Sequence, residues 1–155
     1  MSHAVRAALL LLCLAMAAAA EPAAAEAPAG FLGADACGQC HAEIAAGWRK
    51  TAHSRALARL TRREAAAPRC RSCHATGDAP LGRSDLPGVQ CEACHGPGAD
   101  YAPDDVMRDV PLARALGLRD LSTPARRASL CMRCHRAATR LAPFDPERAW
   151  TTIAH

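Results

Sequence analysis

The chain has 155 residues, enough for one domain, and half of them count as hydrophobic, but alanine supplies much of that share. Aromatics make up only 3%, namely Phe31, Trp48, Tyr101, Phe144 and Trp150, which excludes a core built mainly from large side chains. The formal charge is +4, Lys50 is the sole lysine and the arginines are scattered, so a nucleic-acid-binding module finds no support.

Residues 1–20 read as a secretory signal. His3 and Arg6 form a short polar start, Ala7 to Ala20 is apolar, and Ala18-Ala19-Ala20 offers a cleavage site. Cleavage after Ala25 is an alternative. The apolar run is too short to favour a membrane span, so none is expected in the mature chain. Cys13, the ninth cysteine, leaves with the leader; a lipid anchor there is disfavoured by Leu12 before it and by its early position. Export places the other eight cysteines in an oxidising compartment such as the periplasm. Residues 21–30 are an Ala/Pro-rich flexible lead-in, and the folded unit spans 31–155.

The first motif follows, Cys37-Gly-Gln-Cys40-His41, and its pattern recurs as Cys70-Arg-Ser-Cys73-His74, Cys91-Glu-Ala-Cys94-His95 and Cys131-Met-Arg-Cys134-His135. Each reads C-x-x-C-H, the attachment site of a c-type haem. Two thiols three residues apart share one face of a helical turn and can add to two porphyrin vinyl groups. The adjacent His then aims at the iron as proximal ligand. Two zinc sites of four thiolates each are the alternative, as are disulfides. Both leave unexplained why four of only seven histidines stand directly after the pairs.

A helix is expected from Asp35, its N-cap, to about Ala66, with Ile44, Trp48, Ala52, Leu57 and Leu60 as an apolar stripe and Pro68 as the stop. His53 lies on it. In a continuous helix its twelve-residue offset from His41 spans about 18 Å, whereas two axial nitrogens on one iron lie about 4 Å apart. His53 is therefore expected to reach another haem as a distal ligand, with a solvated surface role as the alternative.

The second and third motifs are joined by Thr76 to Gln90, read as a loop from Gly77, Pro80, Gly82, Pro87 and Gly88, and the short link is expected to bring their haems together. Gly96-Pro97-Gly98 turns the chain after His95. Pro111 to Leu116 reads as a short helix ending at Gly117. Met107 in the same region is a candidate iron ligand, against the commoner role of a packed methionine. Thr123 caps a helix with Pro124 at its first position, and Asp145-Pro146 repeats that signal for a last helix ending in Trp150, Ile153 and His155. His155 is the second distal candidate. The expected fold is mostly α with long loops and little or no β, its core built around four covalently bound haems, and the apoprotein is expected to be largely unfolded.

The chain resembles the cytochrome c-554 type of multihaem cytochromes over about residues 34–155. The resemblance rests on Ala34-Asp35-Ala36-Cys37-Gly-Gln-Cys40-His41 with Trp48 and His53, and on Gly88-Val-Gln-Cys91-Glu-Ala-Cys94-His95-Gly-Pro-Gly. It also rests on the ending from Cys131 through Phe144-Asp145 to Ile153-Ala154-His155. It implies a periplasmic electron-transfer protein with closely stacked, mostly bis-His haems, one of which can lack a sixth protein ligand. Here only His53 and His155 remain beyond the four proximal histidines. Ala99-Asp100-Tyr101 occupies the region where related chains often carry another.

Two functions follow as expectations. The first is single-electron transfer between redox partner proteins, a donor and an acceptor, through closely spaced haems. The second is a haem enzyme or sensor that binds or reduces a small nitrogen-oxide-type ligand at a five-coordinate iron, with Lys50, Tyr101 or nearby arginines assisting. No catalytic constellation stands out, so an enzyme is the less favoured reading.

Overall fold

In the computed structural model the described residues are 30–78, 83–136 and 143–155. The leader and nearly all of the lead-in fall outside them. The elements are helices α1 (Ala34–Gly38), α2 (Ala42–Arg49), α3 (Arg62–Ala66) and α4 (Pro68–His74), strands β1 (Ala75–Asp78) and β2 (Arg83–Pro87), then helices α5 (Cys91–His95), α6 (Asp104–Arg108), α7 (Val110–Ala115), α8 (Pro124–His135) and α9 (Pro146–Trp150). The chain is mostly helical with little strand, as expected.

The helix expected over Asp35 to Ala66 is instead broken into α1, α2, a 3₁₀ turn at Leu57–Arg59 and α3. Side-chain donors explain the main break. Thr51 Oγ1 donates to Trp48 O at 2.7 Å, Ser54 Oγ to Arg49 O at 2.9 Å, and Arg55 Nη2 to Lys50 O at 3.1 Å. Carbonyls that would have accepted the next turn's amides are thereby engaged by side chains, and α2 stops. The 18 Å separation argued for an unbroken helix therefore does not apply.

Asp35 is not the N-cap of α1. Gly33 holds that position at φ 88°, and Asp35 sits in the first turn, paired with Arg49 at 2.9 Å. The amides at this helix start are satisfied from far along the chain. Leu32 N and Gly33 N donate to the Glu92 carboxylate at 2.9 and 2.8 Å, and Ala34 N donates to Gln90 Oε1 at 2.6 Å.

The connector from Thr76 to Gln90, expected as a loop, forms most of an antiparallel pair in which Ala75 faces Pro87 and Thr76 faces Leu86. Thr76 is the anchor: its Oγ1 donates to Gly88 O at 2.9 Å and accepts from Gln90 N at 2.8 Å. Pro87 stands at the end of its strand, where a missing amide costs no ladder bond.

Local signals elsewhere hold. Pro68 ends the run after α3 and opens α4. Thr61 and Glu64 form a reciprocal capping box on α3. Thr123 Oγ1 accepts from Arg126 N, and Asp145 accepts from the amides of Glu147 and Arg148. The last helix stops at Trp150, five residues short of the expected end, and turn bonds from Ile153 N and Ala154 N to Trp150 O carry the chain on to His155.

Among the described residues the fully buried apolar set is Ala34, Ala45, Tyr101 and Ala113, while Leu112, Leu116, Val110, Ile44 and Leu32 stay exposed. Three alanines and a tyrosine bury too little area to hold a domain of this length together by themselves.

Candidate functional site

Each motif lies on or against a helix. In α4, α5 and α8 the two cysteines and the histidine fall at i, i+3 and i+4, sharing one face. The first motif straddles the junction of α1 and α2. His41 N still donates to Cys37 O at 2.9 Å, so the helical turn that aligns Cys37, Cys40 and His41 is kept. All eight cysteines are free thiols. Among the described residues no three or more His, Cys, Asp or Glu side chains converge to hold a single ion.

The motifs meet through their thiols. Cys37 and Cys91 share a hydrogen bond that pulls Cys91 down to about 7 and pushes Cys37 up, one sulfur holding the proton for both. Cys134 is pushed up to about 12, first by burial and then by its bond with Cys73. Burial also raises Cys94, with the charge of Cys131 as the next cause. The first motif thus lies beside the third, through contacts of α1 with α5, and the second beside the fourth, through contacts of α4 with α8. The short connector folds back on itself as well, Gln90 N donating to Thr76 Oγ1 at 2.8 Å and so joining the segment after the second motif to the start of the third.

The histidines meet as well. The rings of His95 and His155 have centroids 5.8 Å apart at 52°, and those of His53 and His135 lie 6.3 Å apart at 57°. His53 reaches its partner because the break after α2 redirects the chain, and its carbonyl then accepts from Val89 N at 2.9 Å. Burial lowers the pKa of His53, His95 and His135, with the neighbouring imidazole a further cause for the first two. All three therefore favour the neutral, ligating form at neutral pH.

Neighbours fix ring orientation. His74 Nδ1 lies 2.8 Å from Ala56 O, which makes Nδ1 the protonated nitrogen and leaves Nε2 its lone pair. Phe144 stacks on His135 at 3.8 Å and 9°. Arg119 donates to Ala93 O at 2.8 Å at the C-terminal end of α5, beside His95. His41 is exposed. Met107 is half-buried on α6, the element whose Arg108 feels the charge of Cys40. Tyr101 is buried with its hydroxyl donating to Gly96 O at 2.7 Å, so it braces the turn after the third motif.

Glu92, Gln90 and Thr76 were not singled out from sequence, yet they are the buried polar residues on which the site is hung. Glu92 is 1% exposed and its Oε1 also accepts from Gly98 N at 2.8 Å, tying the chain start, the third motif and the Gly-Pro-Gly turn to one carboxylate. The only sequence signal of Gln90 and Glu92 is position, inside the phrase from Gly88 to Gly98, and Thr76 carries none beyond following the second motif closely.

Paired thiols beside a histidine, imidazoles facing one another, and apolar side chains with little protein cover suit covalently held haem. Residues 36–96 match the family described as cytochrome c554 and c-prime. No curated protein and no solved structure matches the chain. Over the matched stretch the chain is similar to the cytochrome c-554 type, and the likeness supports a c-type cytochrome. No helix among the described residues is long and apolar enough to cross a membrane.

Proposed function

We propose that this c-type cytochrome is exported to the periplasm as a tetrahaem carrier of single electrons between a donor and an acceptor protein. Cys37 and Cys40, Cys70 and Cys73, Cys91 and Cys94, and Cys131 and Cys134 hold the four groups as thioethers. His41, His74, His95 and His135 would be the proximal ligands, with His155 as the second imidazole for the haem of His95 and His53 for that of His135. The separation of the ring pairs, 5.8 and 6.3 Å, carries this assignment. Two nitrogens about 2 Å from one metal, with roughly 1 Å more to each ring centre, put imidazole centroids about 6 Å apart.

When bound, haem c supplies a one-electron ferric/ferrous couple. The chain lowers the pKa of His53, His95 and His135 by burial and orients His74 through Ala56 O and His135 through Phe144. The contacts of α1 with α5 and of α4 with α8 support electron exchange between the first and third and between the second and fourth motifs.

A second reading adds binding of a small nitrogen-oxide-type molecule at the first or second haem. It is favoured by the histidine count: of seven, four are proximal, two face His95 and His135, and His3 lies in the leader. No imidazole is left for His41 or His74. Met107, half-buried on α6, is the side-chain candidate remaining.

Low-temperature EPR of the oxidised holoprotein tests both. Two low-spin bis-His signals are expected, His53→Ala and His155→Ala each converting one to high spin. Nitric oxide added to the reduced protein should change only the remaining two. Four unaltered low-spin signals in both variants would refute the assignment.

A further inference from the structure

We propose that the exposed arginine ridge of α8, with the cleft beside it, is the docking surface for an acidic redox partner protein that delivers electrons at the third and fourth motifs. This rests on the electron-carrier reading above. Arginines scattered in sequence are gathered here by the helix. Successive residues turn by about 100°, so Arg126, Ser129, Arg133 and Arg136 fall on the side away from Cys131, Cys134 and His135, and all four are exposed. The ridge therefore faces outward, about one helix diameter, roughly 10 Å, from the porphyrin side, and is not placed to neutralise that haem's own propionates.

One carboxylate answers this charge. Asp120 is shared between Arg126 and Arg114, the latter at 3.3 Å. Among the described residues Arg133 and Arg136 meet no carboxylate. Two shallow clefts, about 490 and 440 Å³, flank the ridge; Ser129 and Arg133 line both, Arg136 closes one, and Arg119 lines the other. Arg119 also binds Ala93 O and Cys94 O, so the cleft runs on to the backbone of the third motif. From Arg126 to Arg136 the ridge is about 15 Å long. That length suits a protein face better than a small anion, and surplus positive charge on one flank steers an acidic partner by long-range attraction.

The test is stopped-flow reduction of the ferric holoprotein by the hydroquinone of an acidic flavodoxin. The anionic hydroquinone gives one electron, becoming the neutral semiquinone, and one ferric haem becomes ferrous. Reduced lumiflavin, small and without an acidic protein surface, is the control donor. With flavodoxin the native rate should fall at least tenfold from low salt to 0.5 M, where the screening length is about 4 Å. The Arg126→Gln/Arg136→Glu variant should start about tenfold lower at low salt and converge with the native protein at high salt. Its lumiflavin rate and Soret spectrum should be unchanged. Arg136→Gln alone, at the exposed end of α8, should give about a threefold loss and serves if the double variant folds poorly. Equal flavodoxin rates for native and variant proteins at low salt would overturn the docking surface. A native holoprotein that accepts no electron even from lumiflavin would instead overturn the carrier reading beneath it.

Discussion

Glu92 sits inside the third C-x-x-C-H stretch, yet its work is to bind backbone outside it. Its two oxygens accept from Leu32 N, Gly33 N and Gly98 N at 2.8–2.9 Å, in a site 1% exposed. Hydrogen bonds to a buried charge are stronger than neutral ones, and an orphaned partner costs its full desolvation. Glu92→Gln keeps the shape but turns one acceptor into a donor facing a backbone N–H. We expect a loss of about 2–3 kcal/mol, and more for Glu92→Ala, read as a lowered thermal midpoint of the holoprotein. No neighbouring residue announces this role, since the amides that need the carboxylate are about 60 positions upstream.

At the scale of elements, the segment Gly88-Val89-Gln90 joins pieces that are distant in sequence. Val89 N donates to His53 O, Trp48 Nε1 donates to Val89 O at 2.9 Å, and Gln90 holds Ala34. Gly88 permits the junction. Its φ is 83°, and a Cβ there would lie 2.5 Å from Ser54 O, a backbone atom that cannot swing aside. Gly88→Ala should therefore cost several kcal/mol, about 2–4, and displace His53. The check is a double one: a lower thermal midpoint, and partial loss of the low-spin signal assigned to the fourth haem. The breaks of the long helix belong to the same scale. Ile44, Trp48 and Leu57 carry helical spacing, but the hydroxyls of Thr51 and Ser54 compete for the carbonyls and the stripe never forms one helix.

The whole molecule has an inverted balance. Among the described residues the buried core is three alanines, a tyrosine and a few polar residues, while Leu112 is 43% and Val110 47% exposed. Folding entropy on the order of 1–2 kcal/mol per residue is not offset by so little burial, so the porphyrins must supply the missing apolar surface. The chain made without haem attachment is expected to show no cooperative thermal transition by circular dichroism and no slow-exchanging amides. The holoprotein should show both.

The sequence by itself determined what is covalent or local. The four motifs point to their proposed chemistry because thioether formation and proximal ligation would be satisfied within five residues. Thr123-Pro124 and Asp145-Pro146 mark helix starts because a cap bonds amides two or three positions away. His53 and His155 emerged as ligand candidates by counting histidines. Their partners did not, because His53 meets His135 and His155 meets His95 only after the chain has folded across 82 and 60 positions. The same holds for the pairing of the motifs, the hairpin between β1 and β2, and the Glu92 anchor. Each is a contact through space between segments that carry no local mark of one another, and that is what the tertiary structure decided.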